Sequence, residues 1–316
     1  MTFKGNCEVT FSNNSATQYG AAIYSSANSN VMFTGNSKVT FSNNDVSSSD
    51  TGQQFGGTIF SETFSNISFE ENSTTVFSNN IGNFGAAIFS YNYSNVIFKD
   101  KSRVMFNSNI ARNCGTLTSA LFSTITFNDN TEVTYDANMV SRTSNKYFES
   151  SAGAICTFKS TDIVFSGHSI IKLTNNSADK GGAATFSESN VIMQERSAVK
   201  FNNNVALDSS GGAFVCSNNS NVTIKGNANV TFNSNKANQN GGAIHSYNKC
   251  QIVFKENSTS NFINNNAKNN GGGIFNSQHS EFTFKGNSTT YCDNNTADND
   301  ETFYFINSVL TFKQIS

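Results

Sequence analysis

The stretch Val230-Thr231-Phe232-Asn233-Ser234-Asn235, followed shortly by Gly241-Gly242-Ala243-Ile244, decides the fold. Val230 and Phe232 are two residues apart, so on an extended strand they face one side while Thr231 faces the other. The apolar run is too short for an amphipathic helix and gives way at once to Asn and Ser, residues that turn the chain. A block of small residues then leads into another aliphatic position.

Both parts recur along the chain. The small block returns as Gly20-Ala21-Ala22-Ile23, Gly85-Ala86-Ala87-Ile88, Gly211-Gly212-Ala213-Phe214 and Gly271-Gly272-Gly273-Ile274. The spacing from Ala184 to Ile274 is about thirty residues, a solenoid period. Aliphatic-x-Phe-x-x-Asn returns in two series, one beginning at Val31 and ending at Asn36, the other running from Val39 through Phe41 to Asn44. Each repeat is therefore expected to supply three short strands and three turns. No such strand can bury its apolar side alone, but stacked coils about 4.8 Å apart can. The pattern predicts three interior columns. One runs from Phe3 to Phe312, one from Phe11 through Phe41 and Phe232 to Tyr291, and one from Ile23 through Leu121 to Ile274. The expected architecture is all-β: a right-handed, single-stranded parallel β-helix of about ten coils of roughly 30 residues, one repeat domain over 1–316. Between about 110 and 170 the repeat is degraded. Lys101 stands for an expected Asn, Ser119-Ala120-Leu121 for a Gly-rich block, and His168 ends a Phe-x-x segment.

Composition agrees. Pro and Trp are both 0, Phe is 30, and charged residues are 13%, against about 25% in an average soluble protein. Asn, Ser, Thr and Gly are weak helix formers, whereas Phe, Val, Ile and Thr suit strands. A formal net charge of −2 with thinly spread bases leaves no basic footprint, so no nucleic-acid partner is expected. No apolar run reaches the about 18 residues of a membrane helix, so no direct membrane span is expected. The first residues, Met1 to Asn6, carry no signal-peptide core, so an export signal is expected outside this sequence. Both ends stop inside a repeat, which fits a piece of a longer chain.

The 6 cysteines, Cys7, Cys114, Cys156, Cys216, Cys250 and Cys292, are scattered, without CxxC or neighbouring His. That argues against zinc; the even count permits disulfides, but the scatter reads as isolated thiols filling repeat positions. No metal or cofactor is expected.

The Gly blocks lead into strands, not a helix with a following Lys-Ser/Thr, so they read as turns and not as phosphate loops. Asn66, Asn72, Asn221 and Asn287 satisfy the glycosylation sequon, yet an asparagine ladder along the stack explains them better. Catalysis by a β-helical polysaccharide lyase or hydrolase would need converging acids. Asp179 with Asp208, and Asp293 with Asp298 and Asp300, are the nearest groupings, and His168, His245 and His279 occupy different repeat positions. No catalytic residue is assigned. Lys225, Lys255, Lys285 and Lys313 share one position and read as a solvated outer row. The outward slots from Thr10 to Thr290 are too mixed for an ice-binding face. Insertions in solenoids emerge on a face that often binds, and the connections lengthen from Asp45 to Phe55 and from Ala137 to Ser151. Phe55, Tyr147 and Phe148 are the candidate binding residues there.

Alternating Gly-Gly-Ala-Ile and Phe-x-x-Asn motifs resemble the passenger repeats of chlamydial polymorphic membrane proteins. The motif residues are Phe41, Asn44, Phe232, Asn235, Gly241, Gly242, Ala243, Ile244, Gly271 and Gly272, and such repeats span nearly the whole chain. The resemblance implies a secreted or surface-displayed autotransporter passenger at the outer membrane, with an adhesive role toward a host-cell or matrix protein or glycan. No C-terminal run of alternating strands for a membrane barrel is present in this sequence. A polysaccharide lyase or hydrolase and a passive spacer of a larger surface protein are the alternative functions.

Overall fold

In the computed structural model Phe33 lies in register with Phe3 on one side and Phe69 on the other, both across parallel pairings. The structure describes residues 1–46, 56–141, 151–299 and 302–313. Every regular element among these is a strand. An 11-stranded sheet runs from Thr2–Phe3 to Val309–Lys313 and a second, 10-stranded, from Glu8–Ser12 to Thr289–Asp293. A third, 10-stranded, runs from Ser15–Ala16 to Thr296–Ala297 and a fourth, 10-stranded, from Ile23–Ser25 to Phe303–Ile306. In each sheet a strand's neighbours are its counterparts one repeat away. This is a parallel β-solenoid of about ten turns.

Three strands per coil were expected and four are present. The missed sheet follows the second Phe-x-x-Asn and is built mostly of two-residue strands such as Lys236–Ala237 and Asn266–Ala267. Two residues cannot display a period of two. The inward position is small, with Ala206, Ala237 and Ala267 all fully buried, so it reads as turn.

The first expected column is present in full register. The other two need one correction each. Leu117, not Leu121, pairs with Ile88 and Ile155, whereas Leu121 sits in a turn with φ +54°. The true block is Gly115-Thr116-Leu117, which keeps the register through the degraded middle. At the far end Phe262 pairs with Cys292, and Tyr291 points outward opposite Asn261. The outward row thus closes on Tyr291 and not on Thr290.

Within a column the rings stack: Phe33 on Phe69 at 4.8 Å and Phe41 on Phe77 at 4.7 Å. Between columns they meet edge to face, Phe33 against Phe41 at 6.1 Å and 84°. Both arrangements suit the ring quadrupole. Each fully buried Phe contributes about 1.5–3 kcal/mol.

The two series of Phe-x-x-Asn have different fates. In the first, Asn36 and Asn72 are exposed in the turn. In the second, the asparagines form a buried ladder. Asn44 Nδ2 donates to Asn80 Oδ1 at 2.9 Å and to the Phe11 carbonyl at 3.0 Å, while its backbone N–H also reaches Asn80 Oδ1 at 3.0 Å. The same contacts link Asn80 to Asn109, Asn204 to Asn235 and Asn235 to Asn265. Each amide thereby donates twice and accepts twice, which satisfies a buried Asn. A shorter serine ladder runs beside the fourth sheet, where the N–H of Ser65 donates to Ser94 Oγ at 3.1 Å and that of Ser94 to Ser123 Oγ at 3.1 Å.

Gly241 holds φ +64°. A Cβ on Gly242 would collide with the carbonyl of Gly272 in the next coil. Close stacking of coils, not ligand approach, requires the block.

The isolated-thiol expectation is overturned for four cysteines. Cys114 is bonded to Cys156, and Cys216 to Cys250, each pair with a Cα–Cα distance of 5.8 Å. Separations of 42 and 34 residues are about one coil plus an offset, so residues scattered in sequence become neighbours between coils. Cys7 and Cys292 are free thiols.

Candidate binding surface

Phe41, Asn44, Phe232, Asn235, Ala243 and Ile244 are all interior, Gly242 and Gly272 stand where coils touch, and Gly241 and Gly271 hold positive φ. The repeat motifs form the scaffold. Phe55, Tyr147 and Phe148, the expected loop contacts, lie outside the described residues.

Of the acid groupings, Asp300 lies outside the described residues. Asp208 donates its backbone N–H to the Asp179 carbonyl at 3.2 Å, so the two occupy one corner of adjacent coils. Among the described residues no three His, Cys, Asp or Glu side chains are placed to hold a metal ion. His168 lies in the turn before the second sheet, 3.5 Å from Arg196. His279 lies in the turn after the fourth sheet with φ +62°. His245 is on the fourth sheet between Val215 and Phe275.

The surroundings of His245 are distinctive. Its ring packs on Tyr247 at 5.0 Å and against Phe275 at 5.1 Å. Lys180 Nζ donates to the Tyr247 hydroxyl at 2.5 Å and sits 4.8 Å above that ring. The residue is only partly buried, but Nδ1 is enclosed without a hydrogen-bond partner. Burial, with the Lys180 charge adding to it, pushes the imidazole down to about 3.

Lys225, Lys255, Lys285 and Lys313 do line up, Lys285 lying directly opposite Lys313. Glu256 pairs with Lys255 at 2.9 Å. Its carboxyl is held below the usual range, chiefly by that hydrogen bond and then by the fields of Lys255, Lys225 and Lys285. Of the sequons, Asn66 and Asn221 belong to outer amide rows: Asn66 Nδ2 donates to Asn30 at 3.1 Å, and Asn221 Nδ2 to Asn190 at 3.0 Å. Asn72 and Asn287 are exposed.

Outside the main core, Phe60, Phe84 and Phe89 form a second buried apolar cluster with Cys114 and Cys156. Phe60 follows inward-facing Ile59 and so faces outward. Tyr19 and Tyr24, both nearly half exposed, stack on it at 5.7 Å.

The corner between the fourth and first sheets carries the feature that sequence reasoning missed. Phe64, Tyr93 and Phe122 are 52%, 45% and 51% exposed. They stack in one row, with centroids 5.1 Å apart at both steps. A signal existed: each lies three residues before the first inward position of the first sheet, Ile67, Val96 and Ile125. From sequence alone these three residues were assigned no role.

Residues 8–26 and 229–247 match the Chlamydia polymorphic membrane protein (Chlamydia_PMP) repeat. Each matched stretch begins on a second-sheet strand, passes through the ladder asparagine, Asn14 or Asn235, and ends just beyond the fourth-sheet strand. The matched stretches therefore cover the strands of the second, third and fourth sheets, with the ladder asparagine and the small-residue block between them. No curated protein and no solved structure gives a significant match. Among the described residues no helix is long and apolar enough to cross a membrane, which says nothing of a β-barrel.

Proposed function

We propose that this chain is a surface-displayed, non-catalytic adhesion rod that contacts a host-cell or matrix protein or glycan through its outer face. The polymorphic membrane protein repeat, present at 8–26 and 229–247, carries this reading, because that family is associated with the bacterial surface. Two disulfides support export, since such bonds persist in oxidising compartments. A net charge of −2 supports a partner other than nucleic acid.

The test is attachment. The chain displayed on an otherwise non-adherent bacterium is expected to bind epithelial cells or extracellular matrix, and soluble chain is expected to compete. Absence of attachment to both surfaces contradicts the reading. Release of new reducing ends from cell-wall or matrix polysaccharide would instead favour an enzyme.

A further inference from the structure

Resting on the adhesion reading, we propose that the Phe64–Tyr93–Phe122 row and the amides beside it form a binding site for a neutral glycan. The backbone points to it first. These rings occupy the second of two consecutive left-handed residues in their turns, with φ +60°, +60° and +58°. Positive φ is uncommon for residues other than Gly and Asn and rarer for bulky ones, and costs of order 1–3 kcal/mol each. The same turn position elsewhere holds Asn28, Ser160, Asn219, Lys249 and His279, also at positive φ. Stacking the coils thus does not need aromatics there, and three adjacent coils carry them at a conformational cost. The row is also bounded, because the coils beyond its two ends carry Asn28 and Ser160.

The chemistry of the surface selects the occupant. The rings stack along the rod, so their edges face solvent and their outermost faces overhang the shorter Asn28 and Ser160 side chains. Each outer face can continue the stack with one flat ring that presents C–H groups, as one face of a pyranose does. Two residues further along each chain segment runs a row of polar groups. Asn66 Nδ2 donates to Asn30 Oδ1 at 3.1 Å, Asn95 Nδ2 to Asn66 Oδ1 at 2.8 Å, and Thr124 Oγ1 to Asn95 Oδ1 at 2.7 Å. Amides and hydroxyls bond sugar hydroxyls in both directions. Within the three ring-bearing coils neither row contains a charged residue, which favours a neutral sugar over a sulfated or carboxylated one; the nearest charges, Lys159 beside Ser160 and Asp162 opposite Thr124, lie one coil beyond Phe122. A protein partner, or a second copy of this chain, fits less well. A whole aromatic side chain buries roughly 150–250 Å², so three half-exposed rings offer about 300 Å², well short of the about 800 Å² per partner of a standard interface.

The full chain is tested by saturation-transfer NMR and titration against hexamers of β-1,4-linked N-acetylglucosamine, β-1,4-linked glucose and α-linked mannose, with a heparin hexasaccharide as the anionic probe. At least one neutral hexamer is expected to bind, with saturation passing from aromatic protons. The triple variant Phe64→Asn, Tyr93→Asn, Phe122→Asn carries the residue found at Asn28 and Asn219, and should keep its fold with a thermal midpoint no lower than that of the wild type, since Asn relieves the backbone cost. It is expected to weaken binding by about tenfold or more; should it fail to fold, Phe64→Asn or Phe122→Asn alone, each removing one outer face, must weaken binding severalfold. Three results overturn the proposal: no neutral hexamer binds, the variant binds it equally, or only heparin binds. Cell attachment is measured in parallel. If wild type and variant attach equally while no hexamer binds, the glycan site fails and the adhesion rod stands; if wild type does neither, both fail.

Discussion

Asn44 donates its side-chain amide to Asn80 Oδ1 at 2.9 Å, and that oxygen also accepts the Asn44 backbone N–H at 3.0 Å. One acceptor atom thus binds the side chain and the main chain of the coil before it, and the pattern repeats along the interior. Truncating Asn80→Ala removes that acceptor and the donor to the Phe41 carbonyl at 3.0 Å. Buried groups left unpaired cost about 1–3 kcal/mol each, so urea unfolding should show a loss of at least about 3 kcal/mol. Asn72→Ala, at the end of an equally spelled Phe69-x-x-Asn72, should change stability by less than about 0.5 kcal/mol, because Asn72 is exposed.

Tyr135 stands in the second ring column between Phe106 and Leu173. It is fully buried, and its hydroxyl lacks a hydrogen-bond partner. Burial pushes the phenol well above its ordinary range. Tyr135→Phe removes the unpaired group and keeps the ring, so thermal or urea unfolding should show a gain of about 1 kcal/mol.

The sequence made the stack legible because Phe at one offset and Gly at another repeat about every thirty residues. Where it misled, local composition competed with register. Ser119-Ala120-Leu121 looked more like a small-residue block than Gly115-Thr116-Leu117, and Tyr291 looked more like a core ring than Cys292. The spacing Cys292-x-x-Asn295 assigns the thiol correctly, because the ladder asparagine, not the aromatic, holds the register; Asn265 donates to Asn295 Oδ1 at 2.8 Å. The disulfides were hidden for another reason, since pairing between coils depends on position around the coil more than on distance along the chain. The surface row was hidden because the residue type that marks the core also forms it.

Cys114–Cys156 and Cys216–Cys250 each tie one coil to the next. Thiol titration of denatured, unreduced protein should find 2 free thiols, the 6 cysteines less the four bonded ones. Full reduction should expose 6. Reduction should lower the unfolding free energy by about 2–4 kcal/mol for each bond.

His245 adds an acid-side dependence. Its folded value of about 3 lies below the ordinary 6.5, so the unfolded chain takes up the proton first as pH falls. The associated stability is present above about pH 6.5 and is lost toward pH 3, at up to about 1.4 kcal/mol per pH unit. His245→Phe, matching Phe275 in the next coil, should flatten this part of the profile in urea midpoints measured from pH 7 to pH 4.

The in-register stack is tested most directly by distances between spin labels along one outward row. Thr10, Thr40, Val76, Met105, Thr134, Lys172, Lys200 and Thr231 are successive partners in the second sheet. With Cys7 and Cys292 replaced by serine, pulsed electron paramagnetic resonance on labels at 10 and 134 and at 10 and 231 spans four and seven coils. At about 4.8 Å per coil the account predicts narrow distributions near 19 Å and 34 Å. Broad distributions, or a second distance no longer than the first, would contradict a single stack in register.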